Sequence, residues 1–303
     1  MVRIFAIIAA LIVSAPLAAQ DIAGDTAVAQ PTLAQPASLM DQARDAQEIA
    51  RLMGEVQTAV SLAQTQYVGM VTGGPGAGYQ GAIALPTDEP GVWRAVIVGR
   101  QDIDKPDADW LELAEYEIAN GAIRSETIHP QSNIPLLTGT ASAMAQARSF
   151  APRVVLAAGN NAFCLDESAG ASVTASVTFA TIVLPPRDNG TFDAYVLNGP
   201  IEEGAIPLGR HYRVGFDKFG LQGTPDLITD TCEVITWSAN DADLATKVYL
   251  TNYKGAETPS PVHILLSTLL PMRLGVTTGD TMWPVVSGTV GEPMPADQVQ
   301  VAP

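Results

Sequence analysis

A single long stretch of the chain carries a helical period, and everything after Tyr67 is cut by turn residues into short apolar runs. Ala46, Ile49, Met53, Val56, Val60 and Ala63 recur at intervals of 3, 4, 3, 4 and 3, with Leu39 one heptad before Ala46. This is an a/d stripe, and Asp41, Arg44, Asp45, Glu48, Arg51 and Glu55 fall off it. Ser38 or Asp41 can cap its start, so the spacing predicts an amphipathic helix over residues 38–66. Two uses of the stripe compete. It can pack on the protein's own sheet, or it can pair with a second copy as a homodimer through residues 38–66. Alanine at two stripe positions and Gly54 in the middle favour the first.

Beyond the helix the texture is that of strands. Val92 to Gly99 reads as a buried strand, and Trp110 to Ile118 and Ala122 to Ile128 flank Asn120-Gly121, the strongest short-range hairpin signal. Thr138 to Phe150 is alanine-rich and ends before Pro152, which predicts one short internal helix. Strands then resume at Val173–Leu184, Phe192–Leu197, His211–Phe216, Cys232–Trp237, Thr246–Thr251, Val262–Leu270, Leu274–Thr277 and Trp283–Val290. A parallel βαβ unit needs a helix of roughly 10–15 residues between strands, and after Pro152 little room is left for one. The expected fold class is α+β: an N-terminal amphipathic helix, then a mostly antiparallel β region with one short internal helix.

The ends read differently. Met1-Val2-Arg3, the apolar run Ile4–Val13, the break at Ser14-Ala15-Pro16 and the small residues Ala18-Ala19 have the layout of a secretory signal peptide over 1–19. The apolar run is shorter than the ~20 residues of a spanning helix, and no later run reaches that length, so no membrane insertion of the mature chain is expected. Residues 20–37 read as a flexible linker, 67–290 as the α+β domain with a sub-boundary near 136–160, and the proline-bearing 291–303 as a disordered tail. The expected location is periplasmic or extracellular.

With 16 Lys+Arg against 32 Asp+Glu the formal charge is −16, which argues against a nucleic-acid partner and against anionic membrane surfaces. Export also gives meaning to the 2 cysteines, Cys164 and Cys232. In an oxidising compartment they are most simply one disulfide, closing a loop worth roughly 4 kcal/mol in the chain-entropy model.

Catalytic and cofactor signatures are missing. The glycine run at 73–78 lacks the Lys-Ser/Thr of a phosphate loop and does not open a helix. Asp102–Asp109 lacks the glycine and glutamate positions of an EF-hand and reads as a solvated loop. No cofactor and no metal site is expected. Of the 3 histidines, His129 precedes Pro130 and reads as a loop residue. His211 and His263 fall on expected strands, with His211 and Arg213 sharing one strand face. Adjacent strands would gather His211, Arg213 and His263 around one site. The other reading makes each a buried, hydrogen-bonded histidine that fixes strand register.

The run Ile182-Val183-Leu184-Pro185-Pro186, Asn189-Gly190-Thr191-Phe192, Tyr195-Val196-Leu197, Ile206–Val214 containing Gly209-Arg210-His211-Tyr212-Arg213, Thr231-Cys232, Pro259-Ser260-Pro261-Val262-His263 and Met282-Trp283 resembles an uncharacterised family of secreted bacterial proteins. That family carries a G-x-HYR strand, a following cysteine and a P-x-E-x-H-V strand. The resemblance spans roughly residues 180–290, and it implies export without implying a substrate. Pro261 stands where the pattern has glutamate, which counts against a carboxylate–histidine base pair at His263. The chain reads as an exported protein that is non-catalytic, binding an unidentified protein or small molecule or serving a structural role. The alternative is a hydrolase-type enzyme using His211, Arg213 and His263.

Overall fold

Ser38 opens the first helix: its Oγ accepts the Asp41 backbone N–H at 3.1 Å, and α1 (Leu39–Met70) follows. The computed structural model describes residues 38–71, 78–105, 108–159, 179–241 and 243–298. The expected signal peptide, linker, most of the glycine run and Cys164 lie outside the described residues. The buried stripe of α1 is Ala43, Ala46, Ala50, Met53, Val56, Ala59, Val60, Ala63 and Tyr67. It is wider than the a/d seam, as a helix covering a sheet requires. Its small side chains let the backbone lie close to the strands beneath, and the stripe is used up inside the chain.

The first sheet is an antiparallel meander of β1 (Tyr79–Pro86), β2 (Val92–Arg100), β3 (Trp110–Ala119) and β4 (Ala122–Ile128) in chain order. Asn120 and Gly121 turn with φ of 52° and 70°, the left-handed pair that a type I′ turn demands and that side chains other than Asn and Gly resist. Alternation assigns the faces. Ala95, Ile97, Ala114, Tyr116 and Ile118 point to the core under α1, while Val96, Val98 and Trp110 point to the opposite core.

The internal helix is longer than expected. α2 (Gly139–Ala157) runs through Pro152 instead of stopping before it. Ala147, Ala151 and Val155 are buried in the same core as Val96 and Val98, and that burial holds the helix together across the proline. Arg148 ties α2 to the first sheet by donating from Nη1 to Gln80 O at 2.7 Å.

A second antiparallel sheet has the order β5 (Phe179–Val183), β6 (Phe192–Asn198), β8 (Tyr212–Asp217), β9 (Gly220–Leu227). Its Val183, Phe192, Ala194, Val196, Tyr212, Val214 and Phe216 face the core with α2; Ile182, Leu184, Tyr195 and Leu197 face the core with α1. The two helices thus cover opposite faces of both sheets. This packing runs across residues 136–160, where the sequence suggested a sub-boundary; the described residues belong to one compact unit. β7 (Ala205–Pro207) and β10 (Val234–Thr236) form a two-stranded ribbon beside the second sheet.

The last third departs furthest from expectation. Val262–Leu270 is not a strand: α3 (Pro261–Ser267) occupies it. α3 links β11 (Val248–Asn252) to β12 (Arg273–Thr278), which pair in parallel, so one βαβ crossover exists after Pro152. Its helix is shorter than the length the expectation required. β13 (Thr281–Val286), β14 (Thr289–Val290) and β15 (Met294–Pro295) complete this sheet. The expected disordered tail is in part a strand, because Met294 pairs with Met282 and Ala296 N–H reaches Asp280 O at 2.8 Å. The class is α+β, with an N-terminal helix and mostly antiparallel sheets. No helix among the described residues is long and apolar enough to cross a membrane.

Candidate functional site

The histidine motif is a splice between two chain segments. Residues 208–211 run beside 228–233, held by Leu208 N–H to Glu233 O at 2.8 Å, Arg210 N–H to Thr229 O at 3.0 Å and Ile228 N–H to His211 O at 2.8 Å. Gly209 lies so close to Thr231 that a Cβ there would sit 1.8 Å from the Thr231 carbonyl oxygen. Arg210 takes φ 60°, which breaks strand alternation just before β8. His211 is 0% exposed, whereas Arg213 is exposed and bound to Asp226 at 2.6 Å.

Both ring nitrogens of His211 are occupied. Nδ1 accepts the Asn198 backbone N–H at 3.0 Å, so the proton is on Nε2, which donates to Pro207 O at 3.0 Å. Burial pushes its pKa down to about 4. His263 is 2% exposed and sits on α3, not on a strand. Ser260 is the N-cap: its Oγ accepts the His263 backbone N–H at 3.3 Å and lies 2.9 Å from the ring Nδ1. Tyr253 packs edge-on to the imidazole, with ring centres 4.9 Å apart. Burial, with a smaller contribution from the nearby His211, pushes the His263 pKa down to about 3.

His211 and His263 lie close enough for their charges to interact, but both are enclosed, and Arg213 is on the surface with its own carboxylate. His129, read as a loop residue, rests 3.3 Å from Glu112, which Arg94 also holds at 2.9 Å. The acidic segment near 102 closes on itself, with Lys105 reaching Asp102 at 3.2 Å. No group of three or more His, Cys, Asp and Glu side chains among the described residues is arranged to hold a metal ion.

A hollow lies next to His263. A cleft of about 560 Å³ opens where the start of α1 and the segment 253–261 overhang the second sheet. Asp45 comes from α1, Tyr195 from β6, Arg213 from β8, Asp226 from β9, and Tyr253 and Ser260 from the approach to α3. The pyramid of supports is direct: Ser260 and Tyr253, which hold His263, also form the wall. His211 and His263 do not line it. Tyr195 is 2% exposed, and burial pushes its phenol up to about 12, with Asp193 adding to the rise and Arg213 and Arg187 opposing it. A second hollow of about 550 Å³ adjoins the first across Arg213 and Asp226.

Sequence reasoning missed this cleft because its residues come from five separated segments. One local signal was present. Ser260-Pro261 is a helix start, with serine as cap and proline at the first helical position, and it would have placed α3 and the cleft wall correctly. No family model, no curated protein and no solved structure matches the chain.

Proposed function

We propose that the protein is exported and works as a non-catalytic binding protein, with the 560 Å³ cleft as its contact surface. The observation that carries this reading is the enclosure of His211 and His263. Each is spent on holding the fold, and burial keeps each neutral and away from any substrate. The hydrolase reading needs at least one of them, with Arg213, at an open surface. The cleft falls in the size range of ordinary ligand pockets, roughly 300–1,000 Å³. Export rests on the signal-peptide pattern and on the resemblance over residues 180–290, and a Cys164–Cys232 disulfide belongs to the same proposal.

The test pairs binding with turnover. The mature chain is screened by thermal shift against small polar and amphiphilic compounds, and assayed with chromogenic esters, phosphates and glycosides. Saturable stabilisation without turnover is the expected result. Turnover abolished in His263→Gln protein that still melts cooperatively would establish the enzyme instead.

A further inference from the structure

The first two sheets carry a helix on each face, whereas the sheet built on β11, β12 and β13 carries α3 on one. Leu274, Val276, Trp283 and Val285 fill the core on that side. By alternation Val248, Leu250, Gly275, Met282 and Val286 point the other way, and Met294 joins them opposite Met282. Gly275 is the floor of this second face. A Cβ there would meet Leu250 Cδ2 at 2.5 Å, Met282 Sδ at 3.4 Å and Val248 Cγ1 at 3.5 Å, so three apolar side chains close over one glycine. The patch they form is open, with Val248 49%, Val286 42% and Met294 38% exposed. β11 and β12 pair in parallel, and parallel strands are ordinarily buried on both faces. A bare apolar face on such a pair marks an interaction surface.

The charges around the patch choose the partner. Lys247 and Arg273 are neighbours at one end, joined by the Arg273 N–H to Lys247 O at 3.1 Å. Asp280 and Asp297 lie at the other end, where the Ala296 N–H reaches Asp280 O at 2.8 Å. All four are exposed, and none has an ion-pair partner among the described residues. Asp243 ahead of Lys247, and Lys254 and Glu257 beyond the far end of β11, leave the two ends opposite in sign. A face that is basic at one end, apolar in the middle and acidic at the other is complementary to itself. A two-fold axis running across the strands lays each basic end on the acidic end of the other copy. An axis along the strands would stack like on like.

We propose that the protein forms a two-fold dimer in which two copies stack this face of β11, β12 and β13 against each other with their strands reversed. The face measures only about 20 Å on a side, so the dimer is a small and reversible one. The proposal goes beyond the cleft and does not depend on its ligand.

Sedimentation equilibrium of the full mature chain, from micromolar to submillimolar concentration, tests it. The mass is expected to rise toward that of two chains. Val248→Asp and Arg273→Glu should each weaken association at least tenfold while the monomer stays folded, because both side chains are exposed. The melting temperature of each variant is the control. Mixing Arg273→Glu protein with Asp280→Arg protein should restore association that neither shows alone, since every reversed end then meets its opposite. A monomer throughout the range overturns the proposal and assigns the face to a partner of another kind. A dimer that neither substitution weakens also overturns it, by placing the contact elsewhere on the chain. A mixture that stays monomeric overturns the reversed arrangement.

Discussion

Gly209 and His211 are the residues on which the second sheet's margin depends. A side chain at 209 has nowhere to go, because the obstacle is the Thr231 backbone and not a movable side chain. Gly209→Ala should cost well over 2 kcal/mol, or prevent folding, as a forced backbone displacement does. A melting temperature within a few degrees of the parent would refute this. His211 and His263 make a matching prediction about pH. Both folded pKa values, about 4 and about 3, lie below the ordinary 6.5 of histidine. Between those values the unfolded chain binds the proton and the folded chain does not. Their stability contribution is therefore complete above about pH 6.5, and it falls as pH drops toward 4. Chemical denaturation followed from pH 7 to pH 4 should show a loss of several kcal/mol, reduced in His211→Gln protein. At this scale the sequence was half legible. Its motif showed that His211 mattered, and burial with register fixing was one of the two roles it allowed. Arg210's positive φ left no trace in residue types.

Elements were legible where the local signal was strong and opaque where tertiary contacts decided. The α1 stripe and the Asn120-Gly121 hairpin came out as read, since a 3–4 period and a left-handed turn are local properties. Val262-His263-Ile264-Leu265-Leu266 is apolar without interruption, so its period distinguishes neither strand nor helix. Only the cap decides it. Ser260→Ala should cost about 1 kcal/mol by removing the N-cap, and should loosen His263, whose Nδ1 lies 2.9 Å from the same oxygen. Hydrogen exchange across 261–267 would show the loosening; unchanged protection would count against the cap. α2 makes the opposite prediction. Pro152 denies Arg148 its helical hydrogen-bond donor, yet Ala151 and Val155 stay buried on either side. Pro152→Ala should therefore raise stability, by about 1–3 kcal/mol. A lower melting temperature would mean that the two sheets need the bend.

For the molecule as a whole, two helices clamp two sheets, and the cleft is what this packing leaves open at one margin. No local pattern could announce it, because Asp45, Tyr195, Arg213, Asp226 and Tyr253 meet only after the layers are assembled. The formal charge of −16 over the whole sequence is the basis on which no nucleic-acid partner is expected. The proposed Cys164–Cys232 bridge acts on the same scale. If it forms, reduction of the mature protein should lower the thermal midpoint, by an amount corresponding to roughly 2–4 kcal/mol. Equal midpoints with and without reductant would remove the bridge from the account.

The central claim is that the histidines which look catalytic in sequence are sealed parts of the fold beside a binding cleft. Nitrogen NMR of the imidazoles, followed between pH 5 and 8, tests it directly. The structure predicts two ring systems, His211 and His263, that stay neutral throughout, with His211 protonated on Nε2 only. A titration midpoint near 6.5 for either of them, in protein that remains folded, would contradict it.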